Sequence, residues 1–343
     1  MKTPRDIVFF IGNVLLLFPL MCFGRYAHET SPLEISVSFH LNKIYDINSM
    51  NETYLIDGYL VLLWEDPDNP FPDTDSAEVT YENSEFPDNY PIPTFEFINV
   101  LGKREILNKQ LKFFRGGKVM YNERFHAKFT ADMDFHLYPV DRQVFNLQIE
   151  AFSKDIEQLV FTSAELTPEK LDATYLKEWT IMGTRDTISK ITYEHFNGIS
   201  GTPKVFSRCT FEIITERKFN YYFWQVLLPI FLIIIASWLV FWVNDFSNQL
   251  NISFTLMLTV VAFNFFTSTL LPRLPYNTFI EIIIISGYTS IFLTAGAIIF
   301  NNAVVLKKSK KMSLRLIRIF RWLFPLLYTV FLAILISVLF LED

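Results

Sequence analysis

The 343-residue sequence predicts an exported, immunoglobulin-like β-sandwich followed by a bundle of four membrane helices, and three patterns predict it. Residues 25–219 repeatedly alternate apolar and polar side chains, the period of half-buried strands. Long apolar runs crowd the last third of the chain, each long enough for a ~30 Å hydrocarbon core at about 1.5 Å per residue. Charge is sorted between the two parts. Residues 25–219 carry 31 acids and 20 bases, whereas Lys307 to Arg321 holds seven Lys and Arg and no acid.

Residues 1–24 have the form of a signal peptide. Lys2 and Arg5 make the positive start, Ile7 to Phe23 the apolar run, and Cys22 and Gly24 a small-residue cleavage site. With only Cys22 and Cys209 in the chain, no internal disulfide framework forms in the mature protein. Nearly 200 residues nonetheless suffice for an exported core.

Strands are expected at Glu34 to Leu41, around Tyr54 to Trp64, at Lys118 to Tyr121, at Gln143 to Ile149 and at Arg208 to Ile213. Gly116-Gly117 reads as a hairpin turn, and Asn197-Gly198 with Gly201-Thr202-Pro203 as the tip of a longer hairpin. Glu65 to Asp88, rich in Pro, Asp and Glu, is expected to be a solvated loop. Many short strands without a long amphipathic helix suggest a sandwich.

The membrane domain, residues 220–343, is expected to hold spans at 221–243, 248–271, 279–303 and 322–341, with Val304 to Arg321 as a basic linker. An exported sandwich puts the first span's start outside. The Lys307 to Lys311 run then falls in the cytoplasm, as the positive-inside rule requires.

The second span is too polar for a helix that faces lipid all round. Steps of four and three trace one face through Asn251, Thr255, Leu258, Ala262, Phe265 and Thr269. Polar groups at membrane depth face a bundle interior or water. This face is therefore read as pore-lining, built from several copies. Its Leu258 and Phe265 rings would gate by dewetting, and Asn251 and Thr255 would contact ions.

The sequence resembles the bacterial pentameric ligand-gated ion channels, relatives of the Cys-loop receptors, and most closely their amine-gated branch. The resemblance rests on Tyr54-Leu55-Ile56-Asp57-Gly58-Tyr59, Glu96-Phe97-Ile98-Asn99-Val100 and Asp132 through Gln143. Ser253 through Val261, Leu271-Pro272-Arg273-Leu274-Pro275-Tyr276, Pro229 and Arg217 extend it. It implies a homopentamer around a central pore in a bacterial inner membrane, with the sandwich in the periplasm. Monovalent cations, a small-molecule agonist and membrane lipid are its partners. No cofactor, metal or catalysis is implied. Ala131 and Phe145 stand where the family's loop cysteines would be.

The resemblance implies coupling between domains through Asn48, Pro139, Asp141, Arg217, Pro272 and Pro275. It implies an agonist box of Tyr59, Glu96, Glu150, Phe152, Tyr193 and Phe206, suited to a small cation by ring faces and carboxylates. Gln110 departs from a basic residue of the amine-gated relatives, so the agonist can differ. Some relatives open with pH, and His40, His126, His136 and His195 all lie in the exported part. Asn248 replaces the glutamate ring of cation-selective relatives, with Asp245 just before it, and the Pro-Ala pair of anion-selective relatives is absent. Cation conduction is the expectation, supported by the acidic exported domain. A membrane-anchored binding protein without conductance is the alternative, but it needs neither four spans nor a polar second one.

Overall fold

The computed structural model describes residues 31–66, 68–69, 71, 76–87, 90–168, 176–194 and 203–341. The expected leader, His195 and the hairpin tip at Asn197 to Thr202 lie outside the described residues.

Ten strands make two sheets. They are β1 (Leu33–Asn48), β2 (Thr53–Glu65), β3 (Glu78–Glu82), β4 (Phe95–Phe97), β5 (Glu105–Phe114), β6 (Lys118–Thr130), β7 (Arg142–Ala151), β8 (Leu159–Pro168), β9 (Trp179–Tyr193) and β10 (Lys204–Arg217). The six-stranded sheet runs β3-β5-β6-β2-β1-β8 and the four-stranded sheet β4-β7-β10-β9. Strict alternation on β2 and β6 sends Ile56, Leu60, Leu62, Phe125, Ala127 and Phe129 inward. The sheets meet through aromatic rings: Phe39 stacks on Phe125 at 6.0 Å and reaches Phe211 of the other sheet at 5.6 Å. Each such ring, fully buried, stabilises the fold by about 1.5–3 kcal/mol. Gly58 is demanded by this packing, since a Cβ there would lie 2.5 Å from the Phe39 ring and 2.8 Å from the His40 carbonyl. Gly116 and Gly117 both take positive φ in the β5–β6 turn.

The loop from Ala131 to Gln143 closes without a disulfide. The Gln143 side chain donates to the Asp134 carbonyl at 2.6 Å and accepts from the Asp134 N–H at 3.1 Å. Phe145 packs at 4.9 Å from Tyr54 and 5.6 Å from Trp179. Hydrogen bonds and ring packing thus occupy the place of the cross-link.

Four helices follow: α1 (Asn220–Trp242), α2 (Phe246–Thr267), α3 (Phe279–Lys308) and α4 (Lys310–Leu341). Pro229, which has no N–H to donate, follows a π-turn at Phe223–Leu227 in α1. Asp245 caps α2 by accepting from the Asn248 N–H at 2.8 Å. Thr278 and Glu281 form a reciprocal capping box at the start of α3. Glu281 thus completes the N-terminal cap of this helix.

Three expectations change. The fourth helix begins at Lys310, not Trp322, so most of the supposed linker is helical. The reason is periodic: Ser313, Leu316, Ile317, Phe320 and Phe324 recur at helical spacing and turn toward the bundle, while Arg315 and Arg318 between them are exposed. The second helix ends at Thr267, which leaves Thr269 and Leu271 in the turn beyond it. The Glu65 to Asp88 loop contains β3, a short edge strand on β5, because Val79 and Tyr81 alternate with polar neighbours.

Candidate functional site

Three zones concentrate polar chemistry. The first lies where the sandwich meets the helices. Arg217, the last residue of β10, is 4% exposed and Asp141, just before β7, is 2% exposed. Nε and Nη2 of Arg217 donate to the two carboxylate oxygens of Asp141 at 2.7 and 3.0 Å, a two-point pair of fixed direction. The guanidinium also lies 4.1 Å from the Trp179 ring centroid and 4.8 Å from that of Tyr138, donates to Ser49, and shares a hydrogen bond with Tyr222. Gln143 gives Asp141 a third donor at 2.7 Å. A buried charge is tolerable only when so fully satisfied. Burial first, and then the Tyr222 hydroxyl, push the Tyr138 phenol well above its usual range. The Tyr138–Pro139 peptide is cis. Asn48 accepts from the Asn51 N–H, closing the β1–β2 turn near Ser49.

The same loop grips the segment between α2 and α3. The His136 ring stacks on Tyr276 at 3.8 Å and 8°, the Tyr276 hydroxyl accepts from the Phe135 N–H, and the Phe279 N–H donates to the His136 carbonyl. Asp134 pairs with the His136 ring at 2.6 Å. Burial pulls the Asp134 carboxyl up, but the His136 backbone and ring hold it below the usual carboxylate range. Pro272 and Pro275 flank this contact in the segment leading to Tyr276. Neither has an N–H to donate, so the loop's hold on the segment rests on the Tyr276 ring and hydroxyl and on the Phe279 N–H.

The second zone is one end of the four-stranded sheet. β4 and β7 place Glu96 opposite Glu150, and β9 and β10 bring Tyr193 and Phe206 beside them. Partial burial and then the Glu150 charge raise the Glu96 carboxyl. Glu150 is 3% exposed and bonded to Arg208 at 2.8 Å, while Arg208 also donates to the Tyr193 hydroxyl at 3.0 Å. Burial and then the Glu150 hydrogen bond raise the Tyr193 phenol. Phe206 is 1% exposed and edge-on to Tyr193 at 5.7 Å, so it supports that ring from below and does not face solvent. Phe152 is 59% exposed. Tyr59 lies on the other sheet, under the Arg124 guanidinium at 5.6 Å. It lines a separate cavity of about 270 Å³ with Asn108, Gln110, Asn122 and Arg124. Within one chain the six expected residues do not form one box.

The third zone is α2. Asn251, Thr255, Leu258, Ala262 and Phe265 are all exposed, with Leu258 at 70% and Phe265 at 71%, and Thr269 is exposed in the turn beyond. The opposite side, at Gln249, Ser253, Val260 and Thr267, is buried against the bundle. The Thr255 hydroxyl donates to the Asn251 carbonyl at 2.8 Å, and Thr259 does the same to Thr255.

Several participants have no sequence signal. Arg208 neutralises Glu150 from a strand 58 residues on, and the rings of Trp179 and Tyr138 that pack around Arg217 come from two distant segments. Cys209 is buried, and burial pushes its thiol up to about 12, which keeps it unreactive. Among the described residues, no group of three or more His, Cys, Asp or Glu could hold a metal.

Residues 24–219 match the family model described as the neurotransmitter-gated ion-channel ligand binding domain. The chain is 24% identical over 299 residues to a proton-gated ion channel of Gloeobacter violaceus, covering 87% of this chain and 80% of that protein. It is 25% identical over 301 residues to the gamma-aminobutyric acid receptor subunit beta-4 of Gallus gallus, covering 83% of this chain and 59% of the subunit. A gamma-aminobutyric acid receptor subunit beta-like protein of Drosophila melanogaster is 24% identical over 302 residues, 82% of this chain and 58% of its own. A two-sheet domain that matches this model over 196 residues, joined through a buried Asp–Arg pair to four helices of membrane-spanning length, places the chain in the neurotransmitter-gated family of ligand-gated ion channels.

Proposed function

We propose that this chain is one subunit of a homopentameric, cation-conducting channel in a bacterial inner membrane, its sandwich in the periplasm. The observation that carries the reading is the exposed α2 face. Leu258 and Phe265 stand 70% and 71% exposed on a helix whose other side is packed, so this face needs partners that one chain does not supply. Five copies around an axis would turn each side chain into a ring. The apolar rings at Leu258 and Phe265 close the pore by dewetting. Toward the Asp245 end, the Thr255 hydroxyl hydrogen is engaged by a backbone carbonyl, so its oxygen offers lone pairs to the lumen. That polarity, with the acidic sandwich above, favours monovalent cations.

The agonist, a small amine or a proton, acts on the sandwich. Glu96, Glu150, Tyr193 and Phe152 form one wall of the site, and Tyr59 of the next subunit would complete it. Phe206 and Arg208 position that wall. Movement there reaches the pore through the Asp141–Arg217 pair and the His136–Tyr276 stack. Ligand biases the closed–open equilibrium by its preference for one state.

Planar-bilayer recording of the purified, reconstituted chain tests the reading, with pH steps followed by small amines in a salt gradient. Gated currents that reverse near the cation equilibrium potential are expected. A silent bilayer with correctly assembled protein would remove the channel reading, and reversal that tracks chloride would remove the cation assignment.

A further inference from the structure

On the sheet face turned away from the core, β5, β6, β2 and β1 carry a row of polar side chains. In register, Glu105 of β5 lies opposite His126 of β6, His126 opposite Asp57 of β2, and Asp57 opposite Lys43 of β1. Tyr45, two residues further along β1, leans back across β2. Its hydroxyl meets Nε2 of His126 at 2.7 Å, and the two rings are nearly parallel, at 12° and 5.9 Å. On the other side of the imidazole, Nδ1 stands 3.9 Å from a Glu105 carboxylate oxygen. At that distance the carboxylate makes no hydrogen bond but attracts positive charge. The His126 side chain is 31% exposed and that of Glu105 70%, so solvent protons reach both.

The surroundings single out His126. Asp57 accepts from Asn42 Nδ2 at 2.8 Å and from Arg124 Nη2 at 3.2 Å. Burial pulls its carboxyl up, but Asn42 and Arg124 hold it below the usual carboxylate range. Arg124 and Lys128 flank His126 two residues away on β6, and Lys43 and Asp46 flank Tyr45 on β1. Burial and then the Asp57 and Asp46 charges raise the Tyr45 phenol, which therefore keeps its proton. Histidine is the side chain that ordinarily changes charge between about pH 5 and 8.

Tyr45 anchors an irregular stretch of chain. β1 shifts register against β2 between Leu41 and Lys43 and again between Tyr45 and Asn48, so Tyr45 is the last residue in continuous register before the β1–β2 turn. Asp46 takes a φ of 50° and Glu52, at the far end of the turn, 51°. The turn carries Ser49, which accepts from Arg217 Nη2 at 3.3 Å, and the Glu52 carbonyl, which accepts from the Ala131 N–H at 2.9 Å. A shift of Tyr45 is thus delivered both to the buried Asp141–Arg217 pair and to the loop that follows β6.

We propose that the Tyr45–His126–Glu105 row is a pH-sensitive brace on the β1–β2 turn. A neutral imidazole uses Nε2 to accept the Tyr45 hydroxyl hydrogen. Once protonated, both ring nitrogens are donors. Nε2–H then donates to the Tyr45 oxygen, the hydroxyl hydrogen turns away, and the imidazolium draws Glu105 in. Protonation clamps β5, β6 and β1 together over β2 and steadies the turn, and rising pH releases it. The brace gives protons a place to act on the sandwich. Its effect on current rests on the channel reading, while the brace itself rests on the fold.

Hydrogen–deuterium exchange of the full-length protein in detergent, read by mass spectrometry on peptides covering residues 44–53, tests this without any current. A silent channel and a failed brace are thereby told apart. Protection is compared at about pH 5.5 and about pH 8, corrected for the intrinsic exchange rate. Wild type is expected to protect the turn about two- to fivefold more at the lower pH, the scale of a partly exposed ion pair. His126→Gln keeps a hydrogen-bonding group but cannot charge, and should abolish the difference. Glu105→Gln should shrink it. His40→Gln, which alters another histidine of β1 beside Tyr59, should leave it intact. Equal wild-type protection at both pH values would overturn the brace. So would a full difference surviving in His126→Gln or Glu105→Gln, or a difference lost in His40→Gln, which would place the sensitivity in another histidine.

Discussion

The Asp141–Arg217 junction and the Leu258–Phe265 face of α2 are opposite kinds of surface. At the junction two charges are almost wholly buried and every strong partner comes from the same chain. On the α2 face two large apolar side chains stand more than two-thirds exposed, on a helix whose buried residues are Gln249, Ser253, Val260 and Thr267. The first surface is complete as tertiary structure, and the second is unfinished until other copies or lipid cover it. Under the proposed function, coupling is written into one subunit, while the pore exists only between subunits. Substitutions should separate the two: the junction should report on folding, the face on current.

The largest effect is expected at Arg217. Arg217→Ala strands the buried Asp141 carboxylate and should cost about 3–5 kcal/mol, read as a loss of folded protein in thermal unfolding. Arg217→Lys keeps the charge but not the two-point geometry and should fall between. An Arg217→Ala protein as stable as wild type would break the contrast at once.

Phe206 comes next. Truncation to Ala removes a fully buried ring and should cost about 3–5 kcal/mol, with agonist response falling only in step with stability. Lost amine or proton sensitivity at unchanged melting temperature would instead put the ring in contact with ligand.

Glu123 gives a smaller, pH-dependent effect. It is buried on the inner face of β6, with Arg104 at 3.3 Å and the Tyr121 hydroxyl at 2.7 Å. Burial outweighs these partners and raises its carboxyl above the usual 4.5. Between that value and the raised one, the folded chain keeps a proton that the unfolded chain has lost. This group's contribution to stability therefore falls as pH rises through the window. Glu123→Gln should flatten that part of the melting-temperature profile and stabilise the protein at neutral pH. A variant whose profile parallels wild type would show that Glu123 does not titrate there.

The smallest effect on folding is expected at Leu258. Leu258→Ser should leave stability within about 0.5 kcal/mol, since the residue is 70% exposed in its own chain. Its expected signature is electrical, as leak or easier opening from a wetted gate. Unfolding of the subunit, or unchanged currents from assembled protein, would each undo the contrast from the pore side.

How much was legible differs by residue. The α2 stripe could be read because its six positions lie within nineteen residues at helical spacing. The β2 and β6 cores could be read because one face is buried on long strands. β9 could not, since it sits at a sheet edge and most of its residues are exposed on both faces. The start of α4 was masked by its charge, although its period of three and four was present. Arg208 beside Glu150 and Tyr276 beneath His136 left no trace in local pattern, because each pair joins segments far apart in the chain.

The sequence by itself determined the two-part architecture, the four spans and their charge asymmetry, and the polar–apolar stripe that should face the pore. These are short-range properties, set by periods of two and 3.6 residues and by the cost of placing polar groups in lipid. Only the tertiary structure decided that Arg208 neutralises Glu150, that Phe206 lies beneath Tyr193, and that His136 stacks on Tyr276. It also carried Tyr45 across β2 to His126. Those outcomes depend on which distant strands and helices become neighbours, and burial then forces each buried polar group to find a partner wherever the fold offers one.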